Sequence, residues 1–260
     1  MISPHPSFVW PIDQNVKIWR YTDLAKFTSL LFTSNLFFSR AAFLGDPYEG
    51  SIPKIQYELR EYIIANRATD PNLKNWADIK DNQTLRDMFA TEAKFREQSV
   101  KEFFVSCWHM NEHESAAMWR LYTLATEAVC IQSTFSRLAS ALPGYVNVGV
   151  VKYIDYDRDI IPADNLFNAV LHKRKSFSHE QEVRAVAWER LAGDKGGDEI
   201  QKNMNAGGLR ISVNLQQLVE RVYISPTASP WFEDVINYLV NANNLKVPVM
   251  KSSLAATPLY

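Results

Sequence analysis

An α+β fold is what this sequence predicts, and three observations lead there. Short β-rich runs such as 16–21 and 128–132 recur along the chain. Stretches with helical apolar spacing, such as Leu24, Phe27, Leu30 and Leu31, lie between them. The two kinds of segment do not alternate regularly, which disfavours a doubly wound parallel sheet. With 47% apolar and 12% aromatic residues in 260, the chain has ample material for a core. We read it as one domain, 1–260, with a helical insertion at 53–102 that holds too few apolar residues to fold alone.

Each element follows from its local pattern. Residues 1–15 hold three prolines and form an irregular lead-in. The run 16–21 alternates and is a strand; Thr22 or Asp23 caps the helix after it, and Asn35 closes that helix. Leu36-Phe37-Phe38-Ser39 is a second strand, and Gly45-Asp46-Pro47-Tyr48-Glu49-Gly50 is a turn. In the helical segment, Ile55, Leu59, Tyr62 and Ile63 share one face, and Leu85, Met88, Phe89 and Ala93 another. A strand is expected at 103–108, a short helix near 113–123 carrying Ala117, Met118 and Leu121, a buried strand at 128–132 and a helix from 134. Strands follow at 146–153, 183–188, 209–213 and 222–225. Trp231, Val235, Tyr238 and Leu239 mark a late helix, and 247–250 an edge strand that tolerates Pro248.

Bulk properties exclude several classes. With 28 basic against 29 acidic residues, no global attraction to nucleic acid or anionic lipid exists. Cys107 and Cys130 do not form a Cys-x-x-Cys pair, which reads as cytoplasmic usage rather than a disulfide scaffold. No basic leader with an apolar run opens the chain, and no apolar run approaches the ~20 residues that span a bilayer, so no membrane partner is expected. The Gly-x-Ser-x-Gly elbow, the phosphate-loop signature and the Gly-x-Gly-x-x-Gly fingerprint are all missing, so any NAD is not held in a Rossmann manner.

The chemistry, where there is any, centres on Ser178-His179-Glu180-Gln181-Glu182-Val183-Arg184. A strand starting near 180 would project Glu180, Glu182 and Arg184 to one face. Paired carboxylates suit a cationic, oxocarbenium-like transition state. A salt-bridged strand edge explains the same spacing. Arg20, at the end of the first strand and beside a helix N-terminus, is suited to a phosphate or ribose; a surface arginine beside a core tryptophan is the plain alternative. Tyr21, Trp119 and Tyr122 offer an aromatic shelf for a flat ring, although packing alone accounts for most such residues. The basic trio Lys173-Arg174-Lys175 is either a solvated loop or a guide for a phosphate backbone. His109 and His113, four apart, would share a helical face, but Met110 stands where the metalloprotease pattern needs glutamate, so no metal is assigned.

Lys17-Ile18-Trp19-Arg20-Tyr21-Thr22-Asp23-Leu24, Leu36-Phe37-Phe38-Ser39, Asp46-Pro47-Tyr48-Glu49, Ser106-Cys107-Trp108, Met118-Trp119-Arg120-Leu121-Tyr122 and 177–184 occur in an order that resembles the family called domain of unknown function two-nine-seven-one. The resemblance covers about 16–225. It is also similar, in its first strand, aromatic centre and late Glu-x-Glu strand, to ADP-ribosyltransferases. That similarity implies a split-sheet core with a cleft for NAD as substrate. Arg20 would contact the diphosphate or adenosine ribose, and Ser106 would support the sheet near the nicotinamide ribose. Tyr21, Trp119 or Tyr122 would stack on nicotinamide or close the pocket. Glu182 would stabilise the oxocarbenium ion, and Glu180 would orient the acceptor or take its proton. Ser133 rivals Ser106 for the middle position. Two departures stand out: many family members carry histidine in place of Arg20, and Ser-Cys-Trp replaces the Ser-Thr-Ser of arginine-type transferases.

The function implied is transfer of ADP-ribose to a nucleic acid or protein, in a toxin or anti-phage defence effector held in check by a neutralising antitoxin protein. Three other classes fit the residues. They are a catalytically inactive binding module of the same fold, a nucleic-acid processing enzyme using the same carboxylates, and an assembly protein using 53–102 as its interface.

Overall fold

The computed structural model describes residues 5–123, 126–190, 204–205 and 207–258. It is a mixed α/β structure with a mostly antiparallel open sheet, as an α+β fold requires. The chain divides into two compact units. The first takes in Met1–Ser39, Phe104–Val150 and Glu180–Tyr260; the second takes in Arg40–Phe103 and Val151–His179. The helical stretch expected at 53–102 therefore shares its unit with 151–179.

In the first unit the strands are β1 (Lys17–Asp23), β2 (Asn35–Arg40), β3 (Phe103–Met110), β4 (Ala128–Thr134) and β5 (Val146–Val150). In the second lie β6 (Lys152–Ile154) and β7 (His172–Arg174), paired parallel as a two-stranded sheet. The first unit continues with β8 (Glu182–Trp188), β9 (Met204–Asn205), β10 (Gly208–Ser212), β11 (Arg221–Ile224) and β12 (Val249–Lys251). Its large sheet runs β12-β11-β4-β1-β3-β2-β10-β9, with β8 joined to β3 and β5 to β8. The Pro248 segment does supply an edge, β12, which runs parallel to β11.

Strand alternation sorts the side chains. Ile18, Phe104, Trp108, Val129, Ile131, Val183, Ala185 and Ala187 belong to the main core on one face. The helices Leu24–Thr33 and Phe232–Ala242 bury Phe27, Leu30, Leu31, Phe232, Ile236 and Val240 in that same core. Trp19, Tyr21 and Cys130 point to the other face, where they pack with Met118 and Trp119 of the helix Ala116–Tyr122. Local signals end these elements as expected in one case and differently in another. Asp23 caps the first helix by accepting from Lys26 N–H at 2.7 Å, but its C-cap is Ser34, left-handed at φ 50°, and Asn35 already begins β2.

Four expected helix faces are corrected. The late helix buries Phe232, Ile236 and Val240, while Trp231 and Tyr238 are exposed. Both sets repeat at helical spacing; the buried one has no polar tip to keep wet. In Ala116–Tyr122 the buried pair is Met118 and Trp119, and Leu121 is exposed. In the second unit, Lys54–Asn66 buries Gln56, Arg60, Ile63 and Ile64 and exposes Leu59 and Tyr62, and Asn82–Glu102 buries Leu85, Arg96, Ser99 and Val100 and exposes Met88. An apolar stripe could not foretell this, because buried polar groups with partners occupy the inner face. Gln56, for instance, exchanges bonds of 3.1 and 3.0 Å with the backbone of Ile161.

Gly50 ends the turn before these helices at φ +77°, and a Cβ there would stand 2.1 Å from Cγ2 of Val100. Backbone strain and overlap act together, so Gly50→Ala is expected to destabilise the chain by about 2–4 kcal/mol. A fall in the urea midpoint at unchanged slope checks this; a midpoint equal to that of the parent contradicts it.

Candidate active site at a fork in the sheet

β3 pairs with β1, β2 and β8, although a strand has only two edges. Met110 N–H bonds Gln181 O at 2.8 Å, and Asn111 N–H bonds Lys17 O at 3.1 Å, so β8 and β1 lie on opposite edges of β3. β1 registers with β3 only at Ile18↔Met110 and Trp19↔His109. Beyond that point it turns away with β4, and the sheet forks.

Arg20 is the first β1 residue past the fork. Its guanidinium donates to Ser106 Oγ at 2.5 Å, to Cys107 O at 3.3 Å and to Phe37 O at 3.2 Å. It thus ties β1 to both β3 and β2 beyond the residues where β1 and β3 register. Trp108 lies 5.7 Å from the guanidinium carbon and gives its indole N–H to Ser106 Oγ at 3.3 Å. Burial pulls the Arg20 pKa down, and the neighbouring Cys107 pulls it back up. Ser106 and Arg20 are therefore direct partners. Ser133, its rival, is fully buried and bonds Leu218 O at 2.5 Å.

The acids lie on the opposite face, and the expected spacing is corrected. The strand begins at Glu182, not Glu180; residues 175–180 form a 3-10 helix, and Gln181 between them is left-handed at φ 41°. Glu180 and Glu182 are consequently not on one ladder. Glu182, 4% exposed, accepts from Arg184 Nε at 3.1 Å and Nη2 at 2.9 Å, both on Oε2. Arg184 is completely buried, so the ion pair is sealed within the fold rather than laid along an exposed edge. Glu180, 8% exposed, accepts from the Tyr122 hydroxyl at 3.0 Å. Burial first, then the charges of Glu180 and Glu182, push the Tyr122 phenol far up, so it stays protonated and donates.

His109, which the sequence offers only as a metal ligand, holds the acid turn. Its Nδ1 is 2.6 Å from Glu180 O. A carbonyl only accepts, so Nδ1 carries the proton. Tyr21 faces His109 at 6.4 Å and Trp119 at 5.0 Å between ring centroids, and its hydroxyl accepts from Ser115 N–H at 2.7 Å. Burial, then Cys130, raises the Tyr21 phenol. Glu114, which carried no signal in the sequence, fixes this aromatic helix. Its carboxylate accepts from Trp119 Nε1 at 2.9 Å, Ser252 Oγ at 2.6 Å and Ser253 N–H and Oγ at 2.6 and 2.7 Å. Burial works to raise its pKa, but these donors win and lower it.

The structure thus groups Glu180, Glu182, Tyr122, Tyr21 and Trp119 on one face and Arg20 with Ser106 at the fork. Cys107, half-buried on β3, lies between them: its carbonyl accepts from Arg20.

Other expectations are redrawn. Lys173 and Arg174 form neither a solvated loop nor a phosphate guide. In the second unit Lys173 is buried 3.9 Å from Glu49, and Arg174 forks onto Asp46 at 2.6 and 3.1 Å and covers Tyr48 at 4.1 Å. The turn at 45–50 supplies both acids, a pairing that spans 128 residues of sequence for Arg174 and Asp46. His109 ends β3 and His113 lies in the following loop, so the two do not share a helix. Among the described residues no group of three or more His, Cys, Asp or Glu side chains could hold a metal ion, no disulfide joins Cys107 and Cys130, and no helix is long and apolar enough to cross a membrane. No protein-family model, curated protein or solved structure matches the chain.

Proposed function

We propose that this chain is an ADP-ribosyltransferase-like enzyme that uses NAD and modifies a macromolecule, either nucleic acid or protein. The observation that carries the reading is the pair of withdrawn acids at 180 and 182, beside a forked sheet whose Arg20 and Ser106 are hydrogen-bonded. The forked sheet supports a split-sheet core, and the family resemblance points the same way.

In this reading the bond between C1 of the nicotinamide ribose and the pyridinium nitrogen breaks, and its electron pair leaves with nicotinamide. Glu182, oriented by Arg184 and sealed from solvent, acts at a distance, through its charge, on the positive charge that develops on the ribose. The acceptor's nucleophile forms the new bond to C1, and its proton passes to Glu180. Tyr122, already on Glu180, must swing aside for the acceptor to reach that carboxylate. Arg20 spends three of its five N–H donors on protein oxygens and lies on the other face of the sheet from the acids, so its part is to hold Ser106 and the fork rather than to touch the NAD that the acids act on. Transfer of this kind inside its own cell is harmful, which suits a toxin or anti-phage effector with a neutralising partner protein.

A second reading, a binding module without turnover, is favoured by one observation: the Glu182 carboxylate is already neutralised by Arg184. One experiment separates them. The chain is incubated with lysate and NAD labelled in both nicotinamide and adenine. Transfer predicts released nicotinamide and adenine label in macromolecules, with both falling about 10²–10³-fold in Glu180→Gln and Glu182→Gln. NAD binding by calorimetry without release supports the module, and absence of both binding and release removes both readings.

A further inference from the structure

The second unit contains a buried charge imbalance remote in sequence from the acids at 180 and 182. Arg60, on the helix Lys54–Asn66, donates to Glu92 Oε2 at 2.7 Å. Arg96, one turn beyond Glu92 on Asn82–Glu102, has Nη2 3.8 Å from Glu92 Oε1. That is ion-pair distance but too long for a hydrogen bond. Arg60 is 9% exposed and Arg96 7%. Two guanidinium cations are thus set against one carboxylate. His172 adds no further positive charge, since burial and then the nearby cations Lys152 and Arg96 outweigh its bond to Asn168 O and lower its pKa. Tyr156 acts on Arg96, and burial raises its phenol, so it remains neutral.

Two atoms in this cluster are buried without a hydrogen-bond partner: Arg96 Nη1, a donor, and Glu92 Oε1, an acceptor. Isolated buried groups of this kind are strongly disfavoured, most of all on a cation. A water molecule could meet both atoms but would leave the surplus positive charge. A carboxylate would balance the charge and a sulfate would exceed it, but neither has a proton to give, and each would set lone pairs against Glu92 Oε1. A phosphate that keeps one P–O–H group satisfies all three demands. Its anionic oxygens accept from Arg96 Nη1, its charge balances the second guanidinium, and its hydroxyl donates to Glu92 Oε1.

We infer that the Arg60–Glu92–Arg96 cluster is a phosphate site, selective for free phosphate or a terminal phosphomonoester over sulfate. Glu92 is a third exposed on its side chain while the two unpartnered atoms are closed to solvent, so the phosphate enters as the Glu92 and Arg96 side chains part. The proposal does not depend on the ADP-ribosyltransferase reading, since its residues take no part in that chemistry.

The test is thermal unfolding of the full chain in titrations with inorganic phosphate, adenosine monophosphate and sulfate at constant ionic strength. Saturating phosphate is expected to raise the unfolding temperature by roughly 5 °C or more. Sulfate should raise it far less, and adenosine monophosphate should follow phosphate if the site takes a phosphomonoester. Arg96→Met should abolish the phosphate response while leaving the unliganded chain folded, because it removes the surplus charge. Glu92→Gln, whose amide can donate where the carboxylate could only accept, should erase the preference over sulfate. A parent protein indifferent to phosphate, a shift equal for sulfate, or an undiminished shift in Arg96→Met would each overturn the assignment.

Discussion

Arg184→Met is expected to destabilise the chain by about 3–5 kcal/mol, the largest stability loss we anticipate from one substitution. The cause is the charge left behind. Arg184 is completely buried, and it gives two N–H groups to a single oxygen of Glu182. Without it Glu182 loses the guanidinium that stands on its Oε2, at a place withdrawn from water. Replacing both members by apolar residues should recover most of the loss, since two desolvated charges are removed together. Urea unfolding of both singles and the double variant gives the coupling. If Arg184→Met lies within about 1 kcal/mol of the parent, water reaches the pair and the sealed geometry is wrong. The cycle also bears on chemistry, because an acid so firmly held has its orientation decided before any ligand arrives.

Arg20→Met is the second, with an expected loss of about 3 kcal/mol or more. Here the loss falls on backbone. The carbonyls of Cys107 and Phe37 and the hydroxyl of Ser106 lose charge-assisted donors at the one place where β1 has parted from β3. Lysine should rescue little, because one ammonium cannot reproduce a planar fork spread over oxygens on two strands. Amide exchange gives a local signature: protection should fall in β2 and β3 near the fork more than in β4 or β11. Uniform change across the sheet, or rescue by Arg20→Lys, would contradict this role.

How far the sequence could be read depended on how local the signal was. β1, β4 and β8 were visible because alternation and β-branched or aromatic residues specify strands over a few positions. The acid run at 180–184 was singled out by its spacing on an expected strand, and Arg20 by its place at a strand end beside a helix N-terminus. That Glu180 and Glu182 fall on different elements and meet different partners was not visible, because it rests on a left-handed Gln181, a residue type with no special claim to that conformation. Helix faces failed where burial was decided by distant partners. Arg60 is inside because Glu92 meets it, and Gln56 because the Ile161 backbone does. Arg174 is drawn to Asp46 across 128 positions, and no periodicity records such a match. Glu114 was missed for the same reason, since its serine partners lie 138 and 139 residues away.

The kink at Gln181 acts as a parity switch. In an unbroken strand, residues two apart share a side, and Glu180 and Glu182 would repel one another there. One reversed φ hands each carboxylate to a different guardian, a phenol for the first and a guanidinium for the second. Two like charges adjacent in sequence thereby become chemically unlike, one on a surface ring that can pivot and one immobilised within the interior.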